Sequence, residues 1–111
     1  KGATLLPDAE GLYPQHLVAR SGRAPEMLAL LKKHGADLDQ NDKLYQWTPL
    51  FHAASEGCVN CLQTLLELGV DTSVLDEKGL SAMYYAAWEG HLECMAQLWS
   101  KRDPSLPHRP L

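Results

Sequence analysis

Apolar residues in this chain recur at helical spacing in short bursts, and each burst ends at a glycine. Val59, Leu62, Leu65 and Leu66 fall at i, i+3, i+6 and i+7 and stop at Gly69, the one-sided stripe of an amphipathic helix. Met27, Leu28, Leu30 and Leu31 form a counterpart, opened by Pro25-Glu26 and closed by Gly35. A different kind of segment precedes the Val59 stripe. It opens at Thr48-Pro49, a threonine suited to an N-cap and a proline suited to a first turn. It closes at Gly57, where a residue able to adopt positive φ is wanted. Ser81 and Gly90 bracket a similar segment further on. The pattern predicts two short helices per unit, with Leu75-Asp76-Glu77-Lys78-Gly79 as a tight turn between units.

The units repeat. Thr48-Pro49-Leu50-Phe51-His52-Ala53-Ala54-Ser55-Glu56-Gly57 aligns with Ser81-Ala82-Met83-Tyr84-Tyr85-Ala86-Ala87-Trp88-Glu89-Gly90 at an offset of 90 − 57 = 33. Cys61-Leu62-Gln63-Thr64-Leu65 matches Cys94-Met95-Ala96-Gln97-Leu98 at the same offset. A looser copy, Tyr13 to Gly22, lies 57 − 22 = 35 positions earlier. Its two extra residues fall around Ala24-Pro25 and within Lys43–Trp47, loop positions where insertions cost little. His34-Gly35-Ala36-Asp37 parallels Leu68-Gly69-Val70-Asp71, and Lys1-Gly2-Ala3-Thr4 is a fragment of the same ending. A helix pair this short cannot bury its apolar side alone, whereas pairs stacked on one another can. The Ala53-Ala54 and Ala86-Ala87 pairs suit such close packing.

The Thr48–Ala53 segment, the period near 33 and both glycine positions resemble the ankyrin repeat, over about residues 8–101. The resemblance implies an all-α ankyrin-repeat solenoid of three stacked helix-turn-helix repeats joined by β-hairpin-like turns. The repeats are placed at 8–41, 42–75 and 76–102. Residues 1–7 are read as the end of a preceding repeat or a linker, and 103–111 as a proline-rich tail. Pro104, Pro107 and Pro110 cannot continue a helix. Without a polar final helix, Leu98 and Trp99 are expected to be partly uncapped. The copies depart from the family pattern in places. Tyr13 stands where the capping hydroxyl is usual, and the motif histidine occurs only as His16, with Phe51 and Tyr84 at the equivalent positions. Asp39 and Ser73 occupy sites where the family often carries a hydroxylated asparagine, so that modification is not expected.

The resemblance also implies a concave partner-binding face. In this register the hairpin tips supply Glu10, Leu12, Lys43, Tyr45, Trp47, Glu77, Lys78 and Leu80. The inner helices supply Leu17, Arg20, His52, Ser55, Tyr85, Trp88 and Glu89. Tyr, Trp and Arg tend to carry interface energy. The candidate partner-binding residues are therefore Tyr45, Trp47, His52, Tyr85, Trp88, Glu89 and Arg20. The competing expectation is that Trp47 folds back over the lengthened hairpin and Tyr85 packs against His52 inside the array.

Composition narrows the function classes. At 111 residues the chain is one domain, and 45% apolar residues suit an ordinary core. A formal charge of −4 argues against a nucleic-acid partner. No apolar run approaches the roughly 20 residues of a membrane span, and no signal-peptide pattern opens the chain at Lys1. It is read as a monomeric fragment of a longer protein. Three cysteines, an odd number, point to a reducing compartment, the cytoplasm or nucleus. Cys58-x-x-Cys61 is a redox or half-zinc spacing, with His52, His91 and Cys94 as the nearby ligand candidates. But Cys61 and Cys94 share one repeat position on the buried side of the second helix, where cysteine serves as a small hydrophobe. His16 and His91 are read as structural for the same reason of register. No nucleophile elbow, phosphate loop or zincin motif is present, so no cofactor, metal or catalytic residue is expected and the chain is read as not an enzyme.

A finer likeness concerns Asp8-Ala9-Glu10-Gly11-Leu12-Tyr13-Pro14 and the stretch Gly79 to Met95. Both look like the ankyrin block of fungal phosphate-sensing regulators, which carry an SPX domain before the repeats and a phosphodiesterase-like domain after them. That likeness implies binding and inhibition of a cyclin–CDK complex during phosphate starvation. Two other classes remain open: a scaffold or receptor module recruiting an unrelated partner through the same face, and a non-catalytic segment that positions a phosphodiesterase-like domain.

Overall fold

The proline and glycine punctuation of the sequence sets the helix limits. In the computed structural model, which describes residues 6–102, six helices follow one another. They are α1 (Pro14–Ser21), α2 (Glu26–Lys33), α3 (Pro49–Glu56), α4 (Val59–Glu67), α5 (Ala82–Trp88) and α6 (Leu92–Arg102). Pro14 and Pro49 occupy the first turns of α1 and α3, and left-handed Gly22 and Gly57 close them. The outer helices α2 and α4 end on a six-to-one bond, Ala36 N–H to the Leu31 carbonyl at 2.9 Å and Val70 N–H to the Leu65 carbonyl at 3.3 Å. The proline-rich stretch 103–111 and residues 1–5 lie outside the described residues.

Capping differs between the copies. Ser81 accepts from Tyr84 N–H at 3.2 Å and caps α5. Thr48 sits at the N-cap of α3 without making a cap bond, and its hydroxyl is buried with no partner. The hydroxyl expected to cap that helix therefore does not. Cys58 Sγ accepts from Cys61 N–H at 3.2 Å and caps α4.

Helices of seven to eleven residues are marginal alone, so packing between pairs holds them. The inner helices pack in a row, α1 on α3 on α5, and the outer helices in a second row, α2 on α4 on α6. The core lies between the rows. Ala19, Ala53, Ala54 and Ala86 are fully buried and let the inner row close up around Phe51, Leu28, Leu62 and Leu65. Leu98, expected to be partly uncapped, is 3% exposed. It belongs to the same buried cluster as Leu62 and Leu65, and its helix packs on α4. Cys61 and Cys94 are fully buried too. Burial first, then the hydrogen bond and charge of Cys58, push the Cys61 thiol up to about 12, and burial raises Cys94.

One contact interlocks the second and third repeats. His91 lies against Gly57, where a Cβ would stand 2.6 Å from the imidazole, and its Nε2 donates to the Ser55 carbonyl at 2.9 Å. A side chain at Gly57 is thus blocked by space as well as by φ of 75°. Along the outer edge, Lys32 Nζ donates to the Leu68 carbonyl at 2.8 Å and Asp71 N–H to Asp39 Oδ1 at 3.0 Å. No described helix is long and apolar enough to cross a membrane.

Leu62 is fully buried between repeats and Leu92 is 74% exposed. Leu62→Ala is expected to cost about 3 kcal/mol of unfolding free energy. Leu92→Ala is expected to stay within about 0.5 kcal/mol. Urea unfolding followed by circular dichroism checks both.

Candidate partner-binding surface

Three aspartates organise the hairpin tips. Asp8 Oδ1 accepts from the N–H groups of Glu10 and Leu12, each at 2.9 Å. Asp76 Oδ1 accepts from those of Lys78 and Leu80, also at 2.9 Å. Asp42 Oδ1 takes three, from Tyr45 at 2.6 Å, Gln46 at 2.9 Å and Trp47 at 3.5 Å. The spacing is regular, since 42 − 8 and 76 − 42 are both 34. Each tip is closed by a backbone bond from its aspartate, to the carbonyl of Leu12, Trp47 or Leu80. The middle tip carries one residue more, and Gln46 at φ 60° stands in the left-handed place that Gly11 and Gly79 fill elsewhere.

That extra residue changes what the inner helix shows. The longer tip folds over the start of α3, leaving Asp42 at 1% and His52 at 2% exposure. The reading of His52 as a surface position of the inner helix is corrected: it lies beneath the hairpin, with Nε2 donating to Asp42 Oδ2. Leu12, placed among the exposed tip residues, is fully buried as well. His16 lies beside His52, ring centres 5.5 Å apart and edge-on. Its Nε2 donates to the Gln40 carbonyl at 2.7 Å, and its Nδ1 accepts from Tyr13 N–H at 3.2 Å.

Those bonds use the neutral imidazole of His16, because a protonated Nδ1 could not accept. Burial is the largest influence on both histidines and lowers both pKa values, with the Asp42 charge opposing it. Asp42 goes down as well. Burial, its largest influence, would raise it, but the bonds from His52, Tyr45 and Trp47 together outweigh that.

The third tip, at Asp76, binds aromatic side chains rather than a histidine. Asp76 Oδ2 accepts from Trp47 Nε1 at 3.2 Å and from the Tyr85 hydroxyl. Burial, then the bond to Asp76, push the Tyr85 phenol up to about 12. Burial would raise Asp76, yet the donors Tyr85, Leu80, Trp47 and Lys78 hold it below the ordinary carboxylate value. Trp47 is half-buried. It stacks on Tyr45 at 4.7 Å and on Phe51 at 6.0 Å, and meets Tyr85 at 4.9 Å and His52 at 5.1 Å. Trp47 therefore folds back over the hairpin, and Tyr85 packs on Trp47 and Phe51 instead of on His52.

The remaining candidates stay outside. Tyr45 is 47% exposed and Trp88 74%, the latter stacked on Tyr84 at 6.1 Å. Arg20 and Glu89 are exposed, with Arg20 3.9 Å from Glu10 in a surface pair. Such a pair contributes about 0–1 kcal/mol. A shallow groove of about 580 Å³ runs between the first two repeats, lined by Leu17, Arg20, Arg23 and Glu56 among others. The geometry thus brings Arg20, Tyr45 and the outer edges of Trp47 and Tyr85 along one row of inner helices and tips. Sequence reasoning missed Asp8, Asp42 and Asp76 as the residues that hold this row in place. Their 34-residue spacing was the available signal. Among the described residues no group of three or more His, Cys, Asp and Glu side chains is arranged to hold a metal ion.

With this geometry in hand, the comparisons with known proteins are specific. The family profile described as "Ankyrin repeats (3 copies)" matches residues 16–107. The chain is 75% identical over 97 residues to "Ankyrin repeat protein nuc-2" of Neurospora crassa, covering 87% of this chain and 9% of that protein. It is 34% identical over 72 residues to "Phosphate system positive regulatory protein PHO81" of Saccharomyces cerevisiae, covering 65% and 6%. It is 30% identical over 82 residues to "Glycerophosphocholine phosphodiesterase GDE1" of Candida albicans, covering 74% and 7%. The chain spans less than a tenth of the length of each of these relatives. It belongs to the ankyrin-repeat family, and its likeness to a fungal phosphate-system regulator agrees with the wording around Asp8 and Gly79.

Folded-state pKa values below the unfolded ones mean that the unfolded chain binds more protons in acid. The contribution of His16 and His52 is complete above their ordinary value of 6.5 and is lost as pH falls below it. Asp42 adds a further loss below its ordinary 3.8. The urea midpoint is expected to be flat from about pH 8 to 7 and to fall steadily between 6.5 and 5. His52→Gln is expected to flatten that slope, whatever it does to the midpoint at neutral pH.

Proposed function

We propose that this ankyrin-repeat segment is a non-catalytic protein-binding module whose row of inner helices and hairpin tips holds a folded partner, a cyclin–CDK complex, as part of a phosphate-starvation inhibitor. One observation carries the surface. Tyr45 is 47% exposed on a hairpin pinned by three N–H bonds to buried Asp42, with Arg20 exposed nearby on the same row. An aromatic side chain on a preorganised tip loses little freedom on binding, so more of its contact energy appears as affinity. The partner class rests on the likeness to the phosphate-system regulator. The whole parent protein would act in the cytoplasm or nucleus, where such a kinase pair is found.

The mode of inhibition is steric. Because Asp42 and Asp76 tie the tips to the inner helices, the surface meets the kinase pair as a rigid body and occludes it. Trp47 and Tyr85 contribute their outer edges only, since their polar atoms are taken by Asp76. Glu89 completes the rim on the third repeat. A second reading draws on the likeness to a glycerophosphocholine phosphodiesterase over 74% of the chain. In it the same row seats a phosphodiesterase-like domain of the parent protein and no kinase is bound.

Calorimetric titration of the chain with a purified fungal cyclin–CDK pair separates these readings. Tyr45→Ala is expected to weaken binding by about tenfold or more, equivalent to about 1.4 kcal/mol. Arg20→Ala is expected to weaken it less and to reduce its salt dependence. Absence of heat at micromolar concentrations, with the chain folded by circular dichroism, would remove the kinase reading.

A further inference from the structure

The Cys58-x-x-Cys61 spacing plays no part in the partner row, and the fold gives it a definite geometry. Cys58 is the N-cap of α4 and Cys61 its third residue. Those are the two positions whose side chains reach towards each other in a capping box, and here both carry sulfur. Cys58 has extended backbone angles, φ −81° and ψ 92°, and its Sγ accepts the Cys61 N–H at 3.2 Å. A disulfide needs Cα atoms within about 7 Å of each other and side chains that converge. The first condition is met because Leu62 N–H donates to the Cys58 carbonyl at 2.9 Å and closes the turn between them. The second is met because the two thiols are hydrogen-bonded.

The two thiols are unequal. Cys58 is half-buried and within reach of a small reagent, whereas Cys61 is fully buried. The thiolate is the attacking form of cysteine, and the Cys61 N–H aimed at Cys58 Sγ supports one there. Cys61 is held back as a thiol: burial first, then the hydrogen bond and charge of Cys58, push it up to about 12. Both influences of Cys58 end once that sulfur is covalently capped. The third repeat gives the contrast. Cys94 stands in the place of Cys61 and His91 in that of Cys58, since 94 − 61 and 91 − 58 are both 33. The buried thiol recurs there without the accessible one. The surroundings of Cys58 also select a reagent. Its Sγ lies 3.0 Å from where a Cβ on Gly22 would stand. Gly22 is flanked by Ser21 and Arg23, which line the groove together with Arg20 and one acid, Glu56. Two guanidinium groups in that groove favour a reagent that carries carboxylates.

We propose that Cys58 and Cys61 form a reversible dithiol–disulfide site that reacts with small acidic disulfides of the glutathione class. The Cys58 thiolate attacks one sulfur of the reagent, forming a mixed disulfide and releasing one thiolate, which takes up the proton that Cys58 gave to water. Cys61 then attacks the Cys58 sulfur and displaces the second thiolate, which carries off the Cys61 proton. The protein sulfurs lose two electrons and two protons in all, and the reagent leaves as two thiols. Excess thiol reverses both steps. Closing the bond takes the Cys61 S–H away from the Val18 carbonyl of α1, which it meets at 3.6 Å, and draws Cys58 Sγ from its seat against Gly22. Both are contacts between the first two repeats, so oxidation loosens that joint. Val18 also lines the groove beside Arg20. An effect on partner binding rests on reading that row as a binding surface, whereas the thiol site does not.

The test incubates the chain with mixtures of oxidised and reduced glutathione and maps its thiols by mass spectrometry, with circular dichroism to follow folding. The wild-type chain is expected to lose two hydrogens from the one segment that holds Cys58 and Cys61. Cys61→Ser is expected to stop at a glutathione adduct on Cys58. Cys58→Ser keeps an oxygen to cap α4, and is expected to stay folded and leave Cys61 and Cys94 unmodified. Arg23→Ala is expected to slow the reaction with oxidised glutathione severalfold, but not that with uncharged hydroxyethyl disulfide. Hydrogen exchange at the Gly22 and Cys61 amides is expected to be faster in the oxidised chain. A folded chain that stays reduced in oxidised glutathione overturns the inference, as does a bridge to Cys94 or between two chains. Modification of Cys61 in Cys58→Ser at the wild-type rate overturns it too. Equal effects of Arg23→Ala on the two reagents would remove the acidic class, and unchanged exchange at Gly22 would remove the loosened joint. No outcome depends on whether the row at Tyr45 binds a kinase.

Discussion

The contact between successive helix pairs is the constraint on which everything else in this molecule depends. Each helix is two or three turns long, too short to persist in water alone. Each pair has one apolar side and nowhere within itself to hide it. The third repeat solves this for the second by setting His91 into the space left by the missing side chain of Gly57. Imidazole, glycine and the Ser55 carbonyl fix the spacing of the two turns, while Phe51, Leu62 and Leu66 close the space beneath. Small residues in the inner row, Ala53, Ala54 and Ala86, let the backbones approach closely enough for this to happen.

The hairpin tips obey a second rule that follows from the first. Once helix pairs are stacked, the loops between them must leave and re-enter at a fixed pitch. An aspartate at the start of each tip accepts the N–H groups that the turn would otherwise leave without partners. In two of them the second oxygen fastens the tip further: Asp42 to His52 of α3, and Asp76 to Tyr85 of α5 and to Trp47 of the neighbouring tip. The same carboxylates that shape the loops therefore hold the exposed aromatic edge in a fixed position. A surface built this way is suited to recognising a folded partner, because little ordering is left to be done on contact.

Much of the architecture was legible in the residues. The 33-residue offset, the proline and glycine boundaries and the burial of Cys61 and Cys94 all follow from pattern and register. The site was less legible, for reasons that can be named. His52 occupies an inner-helix position that faces outward by register, yet one extra residue in the hairpin brings Asp42 and Tyr45 down over it. Periodicity reports which way a helix side chain points and not what a neighbouring loop does above it. Trp47 was ambiguous in the same way, and the carboxylate that decides the matter, Asp76, lies 29 positions away in sequence. Thr48 shows the limit of local rules: it stands at the right place to cap α3, but burial leaves its hydroxyl unused.

Native-state hydrogen exchange tests most directly the claim that stacking, rather than the intrinsic stability of any helix, holds the array together. The second repeat is covered on both sides, by α1 and α2 before it and by α5 and α6 after it. Amides in α3 and α4 should therefore exchange only through opening of the whole chain. Those in α2 and α6, each covered on one side among the described residues, should open at lower free energy. Equal protection in all six helices, or greater protection in α6 than in α4, would contradict the claim.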